Sequence, residues 1–349
     1  MRGGGRLFIV RKIFRHEYND IISVENLLLA WQEFIRGKKN RKDVQEFQLY
    51  LMKNIFELHF DLKNKTYQHS KYQKFNISDP KPREINKASV RDRLLHHAIY
   101  QILYPFFDKK FIDDSYSCRN GKGTHKAINQ FEKFYRKVSK NHTKTCWVLK
   151  CDIKKFFASI NHQILKDVLI KYISDKDNLN LLSVIIDSFE TNKHLIVGKN
   201  SKTGLPLGNL TSQLLVNIYM NEFDHFVKGN LKIKYYVRYA DDFVFLSTDK
   251  KFLEKLIPKI GYFLETNLKL TLHPNKVSIK NYSSGVDFLG WVHFDDHKIL
   301  RTNTKNRMFK KLQFQLEKFG EINEDSRQSY LGLLSHGNTY KIQQEIRGK

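Results

Sequence analysis

Cysteine, proline and acidic residues are the scarce components of this 349-residue chain, and each scarcity excludes a class of protein. The three cysteines, Cys118, Cys146 and Cys151, are odd in number and form no Cys-x-x-Cys pair, so neither a disulfide framework nor a thiolate zinc site is indicated. They read as reduced thiols of a cytosolic protein. Only six prolines and a hydrophobic content of 41% set the chain apart from disordered sequences. No stretch approaches the roughly 20 apolar residues of a membrane span. The opening "MRGGGRLFIVRKIFRHEYND" has an apolar run too short and too interrupted by charge for a secretory signal. A soluble, cytoplasmic protein without a membrane partner is therefore expected. The histidines form no metal cluster, because His96 and His97 are adjacent on a predicted helix and point in different directions.

What the chain has in excess is positive charge. Its 61 Lys and Arg outnumber 36 Asp and Glu, for a net charge of +25 spread over the whole length. A globular chain of this kind suits nucleic acid, with anionic membrane the weaker alternative. The length allows two or three packed units.

Apolar spacing predicts helices over "VENLLLAWQEFIRGK" and "RKDVQEFQLYLMKNIFELHFDLKN". "TYQHSKYQKFNISDPKPREINKAS" reads as short strands joined by a basic turn. "VRDRLLHHAIYQILYPFF" reads as a helix that ends or kinks near Pro105. "SCRNGKGTHKAINQFEKFYRKVSK" is a Gly- and Arg-containing loop becoming a helix. "TCWVLKCDIKKFF" is a buried-strand pattern, after which Asn161 caps "HQILKDVLIKYI". A further helix is expected around 180 to 190, then a hairpin-like "KHLIVGKNSKTGLPLG", then a helix over "LTSQLLVNIYMNEFDHFVK" closed by Gly229. A strand pair surrounds "YADD", and "KKFLEKLIPKIGYFLETNLKL" is a helix bent at Pro258. "VSIKNYSSGVDFLGWVHFDDHKIL" holds short strands, and the tail is helical and basic.

From 145 to 295 the order is strand, helices, strand–turn–strand, helix, strand, which fits a split βαβ, ferredoxin-like sheet. Such a sheet brings the end of its first strand beside the turn of its central hairpin. Asp152 would then meet Asp241 and Asp242. Adjacent carboxylates repel and are costly to bury unpaired. A hard, oxygen-seeking cation such as Mg²⁺ explains the pairing better than a plain turn does. Two such ions activate an attacking hydroxyl and stabilise a leaving oxygen in an in-line displacement, which suits a polyanionic substrate.

The motifs "KCDIKKFFASI", "GLPLGNLTSQLLVNIYMNEFD", "YVRYADDFVF", "LHPNKVSI" and "VDFLGW" resemble, in order and spacing, those of reverse transcriptases. The resemblance runs from about residue 60 to 340 and is nearest to the bacterial group holding group II intron and retron enzymes. Within that group "LPLGNLTSQ" is similar to diversity-generating retroelement enzymes. Most other lineages show Pro-Gln-Gly and Ser-Pro where this chain has Pro206-Leu207-Gly208 and Ser212-Gln213. No endonuclease or long DNA-binding extension follows, as expected for the compact retroelement enzymes.

The resemblance implies an α+β right-hand polymerase with fingers, a ferredoxin-like palm and a helical thumb. The expected division is an N-terminal helical extension at 1–60, fingers at 61–145, palm at 146–295 with a finger insertion near 165–205, and thumb at 296–349. It implies that Asp152, Asp241 and Asp242, with the Ile153 carbonyl, hold two Mg²⁺, with Mn²⁺ as a substitute. Lys276 would protonate the pyrophosphate leaving group. Arg83 and Arg91 would grip the triphosphate, and Phe157 would exclude a ribose 2′-hydroxyl. Leu207, Gly208 and Gln213 would line the nucleotide. Arg119 in "CRNGKGTH" would meet the template, and Phe288, Leu289 and Gly290 would form the primer grip.

The implied activity is RNA-directed DNA synthesis from dNTPs on an RNA template with a DNA or RNA primer. In the retroelement setting this copies a template-repeat RNA into adenine-mutagenised cDNA for mutagenic retrohoming, with a small basic pentameric accessory protein as partner. The alternatives are a group II intron-like, retron-like or defence-associated reverse transcriptase, and a catalytically idle RNA-binding protein. Intact Asp152, Asp241, Asp242 and Lys276 oppose the idle reading.

Overall fold

A computed structural model describes residues 13–78, 82–191 and 202–348. The N-terminal part is helical: α1 (Tyr18–Ile22), α2 (Val24–Phe34), α3 (Lys42–Leu49) and α4 (Leu51–Lys63). The single long helix expected over 41–64 is therefore two. Tyr50 leaves helical geometry at φ −118°, ψ 36°, and the Asn54 side-chain amide donates to the Phe47 carbonyl exposed by the break, at 2.9 Å.

Strands β1 (Gln73–Ile77) and β2 (Arg83–Lys87) form the expected antiparallel pair. Part of their basic turn lies outside the described residues. Helix α5 (Val90–Asp108) runs three residues past Pro105, so the proline falls in the last turn, where one lost hydrogen bond matters little. Then come α6 (Thr124–Val138), β3 (Trp147–Cys151), the short α7 (Phe156–Ser159), α8 (His162–Ile170) and α9 (Lys176–Asp187). Asn161 caps α8 as expected, its side chain accepting from the Ile164 amide at 3.0 Å. Most of the hairpin-like segment 193–208 lies outside the described residues.

Helix α10 (Leu210–His225) does not end on Gly229. It widens into a π-helical turn, Phe226–Asn230, that contains this glycine. Phe226 stacks on Phe263 with ring centroids 4.1 Å apart, which holds the widened turn. The remaining elements are β4 (Tyr236–Tyr239), β5 (Asp242–Ser247), α11 (Lys250–Leu268, Pro258 inside), β6 (Ser278–Asn281), β7 (Val286–Phe288), β8 (Trp291–His293) and β9 (Lys298–Leu300). Helices α12 (Thr302–Phe319), α13 (Glu324–Leu334) and α14 (Tyr340–Arg347) follow.

The chain divides into two compact units that interleave in sequence. The first takes residues up to Asp113, Lys154–Leu231 and Phe263–Thr271. Its centre is α5, against which α2 and α10 pack, burying Leu27, Trp31, Phe34, Leu94, Leu95 and Ile99. The second takes Asp114–Ile153, Lys232–Tyr262 and Leu272 onward. It contains a four-stranded sheet in the order β4-β5-β3-β6, antiparallel throughout. This is the expected split βαβ order, with the first strand inside the sheet. One face packs on α6 through Phe131, Phe134 and Tyr135. The second sheet, β7-β8-β9, packs with α12 to α14 around Trp291, Met308 and Leu312. Gly337 permits this packing, since a Cβ there would sit inside van der Waals contact of the Trp291 ring.

Candidate active site

Two strand ends build the carboxylate cluster of the second unit. In the β3–β5 ladder Cys151 pairs with Phe243, so Asp152 leaves β3 beside Asp242, the first residue of β5. The next residues hold that exit in place. The His273 amide donates to the Asp152 carbonyl at 2.8 Å, and the buried Ile153 bridges Leu272. A 3₁₀ turn, Pro274–Lys276, then aims Lys276 back, its Nζ 2.9 Å from Asp152 Oδ2.

The hairpin between β4 and β5 closes on Ala240 and Asp241, with Tyr239 paired to Asp242. Ala240 sits at φ 56°, a left-handed conformation that strains a residue carrying a Cβ. Arg238 supports it. Its fully buried guanidinium donates to the Ala240 carbonyl at 3.1 Å and to Ser115 Oγ at 3.0 Å. Sequence reasoning passed over Arg238; the available signal was a lone cation in the otherwise apolar strand "YYVRY".

Burial, then the neighbouring Asp242 and Asp152, push the Asp241 carboxyl up to about 6. Asp242 is raised too, chiefly by burial and less by Asp152, against the pull of Lys150, Lys276 and Arg301. Lys150 and Arg301 were also missed. Lys150 Nζ donates to the Asp287 carbonyl at 2.8 Å, and Arg301 is ion-paired with the Asp287 carboxylate. The cluster is thus a well of oxygen donors whose mutual repulsion opposes ionisation.

A divalent cation would relieve that repulsion, and hard carboxylate oxygens are the donors it prefers. Among the described residues no three His, Cys, Asp or Glu side chains close a metal shell unaided. The donor chemistry nevertheless fits a cation that leaves ligand positions to water and substrate phosphates.

The hairpin Phe288–Trp291 belongs to the same unit. Leu289 at φ 49° and Gly290 at φ 91° make its two-residue turn, both left-handed as such turns require. The Arg301 amide donates to the Gly290 carbonyl at 3.0 Å. In the loop before α6, Arg119 curls back to the Ser115 carbonyl at 2.9 Å. Thr124 Oγ1 donates to the Tyr239 hydroxyl at 3.1 Å, tying the start of α6 to the end of β4.

The other predicted residues lie in the first unit. The Leu205 amide donates to the Phe157 carbonyl at 2.8 Å, which brings α7 to the turn holding Leu207 and Gly208. Phe156 is buried while Phe157 is only partly so. The Asn86 amide donates to the Leu207 carbonyl at 3.2 Å, and Asn209 Nδ2 to the Asn86 carbonyl at 3.2 Å. Gly208, at φ 104°, lies against Ile85. Phe157, Leu207 and Gly208 therefore gather with β2. Gln213 is partly exposed on α10, and Arg83 is exposed at the start of β2. Arg91 is already engaged, its guanidinium 2.5 Å from Asp61 Oδ2 and over the Tyr67 ring.

The family description "Reverse transcriptase (RNA-dependent DNA polymerase)" matches residues 72–293, and the chain belongs to that family. Its α+β content is that of the family's right-hand polymerase fold. Relatives include protein YkfC of Escherichia coli, 27% identical over 262 residues, covering 65% of this chain and 66% of that one. The group II intron-encoded protein LtrA of Lactococcus lactis subsp. cremoris is 23% identical over 371 residues, covering 85% of this chain and 59% of LtrA. The chain thus spans less than two thirds of the length of these curated relatives. An apo telomerase structure from Candida tropicalis superposes with a TM-score of 0.48 at 15% identity, over 72% of this chain and 60% of that one. Proteins with a reverse transcriptase domain generally use divalent metal ions.

Proposed function

We propose that the chain is an RNA-directed DNA polymerase working by two-metal-ion nucleotidyl transfer. The observation that carries this is the meeting of Asp152, Asp241 and Asp242 at one sheet end with Lys276 aimed at them. When bound, two Mg²⁺ would supply charge for the attacking 3′-hydroxyl and the leaving oxygen. Asp152, Asp241, Asp242 and the Ile153 carbonyl are their holders in this reading. Lys276, on its fixed turn, delivers a proton toward pyrophosphate. Arg83 and Arg91 bind the triphosphate by bidentate contacts, which for Arg91 means exchanging Asp61 for a phosphate. Phe157 shuts out the ribose 2′-hydroxyl, and Leu207, Gly208 and Gln213 shape the space around the base. Arg119 meets the template, and the tight turn at Phe288–Gly290 supports the primer end. The division into fingers, palm and thumb given above belongs to this reading.

Within the family, Leu207 and Gln213 favour a diversity-generating retroelement enzyme that copies a template-repeat RNA with errors at adenines, assisted by a small basic pentameric protein. A second reading, an intron-type enzyme, is favoured by the similarity to LtrA. Two experiments test the proposal. Purified protein with Mg²⁺, dNTPs and a primed RNA should extend the primer, and chelation should stop it; no synthesis on any primed RNA would refute the polymerase. Feeble copying of the cognate RNA that recovers with a co-encoded small basic protein supports the retroelement reading, and processive copying by the chain alone contradicts it.

A further inference from the structure

The outer face of α6 belongs to no residue set described above. Its inner face packs under the sheet through Ala127, Phe131, Phe134 and Tyr135. The outer face carries Lys133, Arg136 and Lys137 at helical spacing, and Lys140 follows in the turn just past the helix end, all four exposed. With Asn129 and Asn141 they line a concavity of about 510 Å³. Glu132, the acidic residue lining it, is turned to other partners: Lys298 Nζ at 2.8 Å and His293 Nδ1 at 3.2 Å.

Two features mark this patch. Several exposed lysines on other helices have acidic partners one turn away, as in Lys42–Glu46, Lys53–Glu57 and Lys250–Glu254. None of the four patch cations has such a partner among the described residues, and their mutual repulsion weakens the helix. Second, the far rim is a built left-handed turn. Lys140, Asn141 and His142 lie at φ 50°, 54° and 71°, where an L-residue normally goes singly if at all. Ser139 Oγ accepts from the His142 amide at 3.0 Å, and His142 Nδ1 is held 3.1 Å from the Tyr135 hydroxyl. Tyr135 in turn donates to Asp295 at 2.6 Å. Uncompensated charge and anchored strain in one place suit a bound polyanion.

We propose that this face is a docking site for the phosphate backbone of folded RNA, separate from the carboxylate cluster. The polymerase reading enters only in naming RNA as the polyanion. The test compares two triple variants of the full chain, Lys133→Ala/Arg136→Ala/Lys137→Ala in the patch and Lys42→Ala/Lys53→Ala/Lys250→Ala elsewhere. The probe is a labelled RNA hairpin with a blocked 3′ end, titrated across a range of salt. The patch variant should bind it about tenfold more weakly and lower the slope of log affinity against log salt by about two to three. The control variant should do neither, and both should keep the parent's dNTP KM and rate on saturating poly(rA)·oligo(dT). Unchanged affinity in the patch variant, or equal loss in both, overturns the proposal. So does a patch variant that keeps hairpin affinity but loses the parent's binding of polyglutamate, which would assign the face to an acidic protein. A parent that extends no primer refutes the polymerase reading, while the hairpin comparison still decides this one.

Discussion

Asp241 works against the stability of the fold that holds it. Its folded-state value near 6 lies above the ordinary 3.8, so the folded chain binds a proton more tightly than the unfolded one. Stability contributed by that residue therefore falls as pH rises from about 4 to about 6, and above that the full penalty remains. Asp241→Asn removes the repelling charge in a nearly isosteric side chain. In EDTA at pH 7.5 it should raise stability by about 1–2 kcal/mol, discounted for the partial exposure of the site. The gain should vanish near pH 4. Thermal melts at the two pH values check this; a variant no more stable than the parent at pH 7.5 would mean the carboxylates do not repel.

Leu207 and Phe157 carry two further predictions. Leu has the length of Gln but offers no donor or acceptor to an incoming nucleotide. A net hydrogen bond is worth about 0.5–1.5 kcal/mol, so in the proposed role of Leu207 its absence would loosen selection by up to about tenfold. Leu207→Gln should lower misincorporation opposite template adenine while keeping product length, as cDNA sequencing would reveal; equal error rates would relieve Leu207 of any part in fidelity. Phe157→Ala should admit ribonucleotides by opening space beside C2′. If the dNTP-to-rNTP ratio of kcat/KM stays put, Phe157 is a packing residue.

At the scale of elements, the central hairpin depends on Arg238. Arg238→Met keeps the stem but leaves Ser115 and the Ala240 carbonyl without a donor inside the second unit. That should cost about 2–4 kcal/mol and raise the Mg²⁺ concentration needed for synthesis. Denaturant melts and a Mg²⁺ titration report both, and an unshifted Mg²⁺ requirement would show that the turn holds its shape unaided. The strand order around Asp152 and the YADD turn was legible because alternation, turn residues and apolar runs agree there. The split at Tyr50 was not, because Asn54 supplies its cap from a later turn of the same apolar pattern. Gly229 misled for a related reason: the stacking of Phe226 on Phe263, distant in sequence, decides how α10 ends. Arg238, Lys150 and Arg301 escaped notice because a cation's role depends on which carbonyl or carboxylate folding places beside it. Arg91, read from the resemblance as a grip on the triphosphate, is ion-paired with Asp61, a partner that only folding reveals.

Over the whole molecule, a charge of +25 on 349 residues predicts RNA binding dominated by counterion release. Affinity for any RNA should fall steeply and linearly on a log–log scale as salt rises; a flat response would remove the electrostatic account of the excess. No helix among the described residues is long and apolar enough to cross a membrane. The family assignment covers residues 72–293, the stretch that carries every proposed catalytic and nucleotide-binding residue. The measurement that bears most directly on the central claim is primer extension on an RNA template with Mg²⁺, parent against Asp241→Asn, with RNA affinity measured on the same preparations. The account predicts that extension disappears in the variant while RNA binding stays at the parental level. Extension by Asp241→Asn at the parental rate would contradict it.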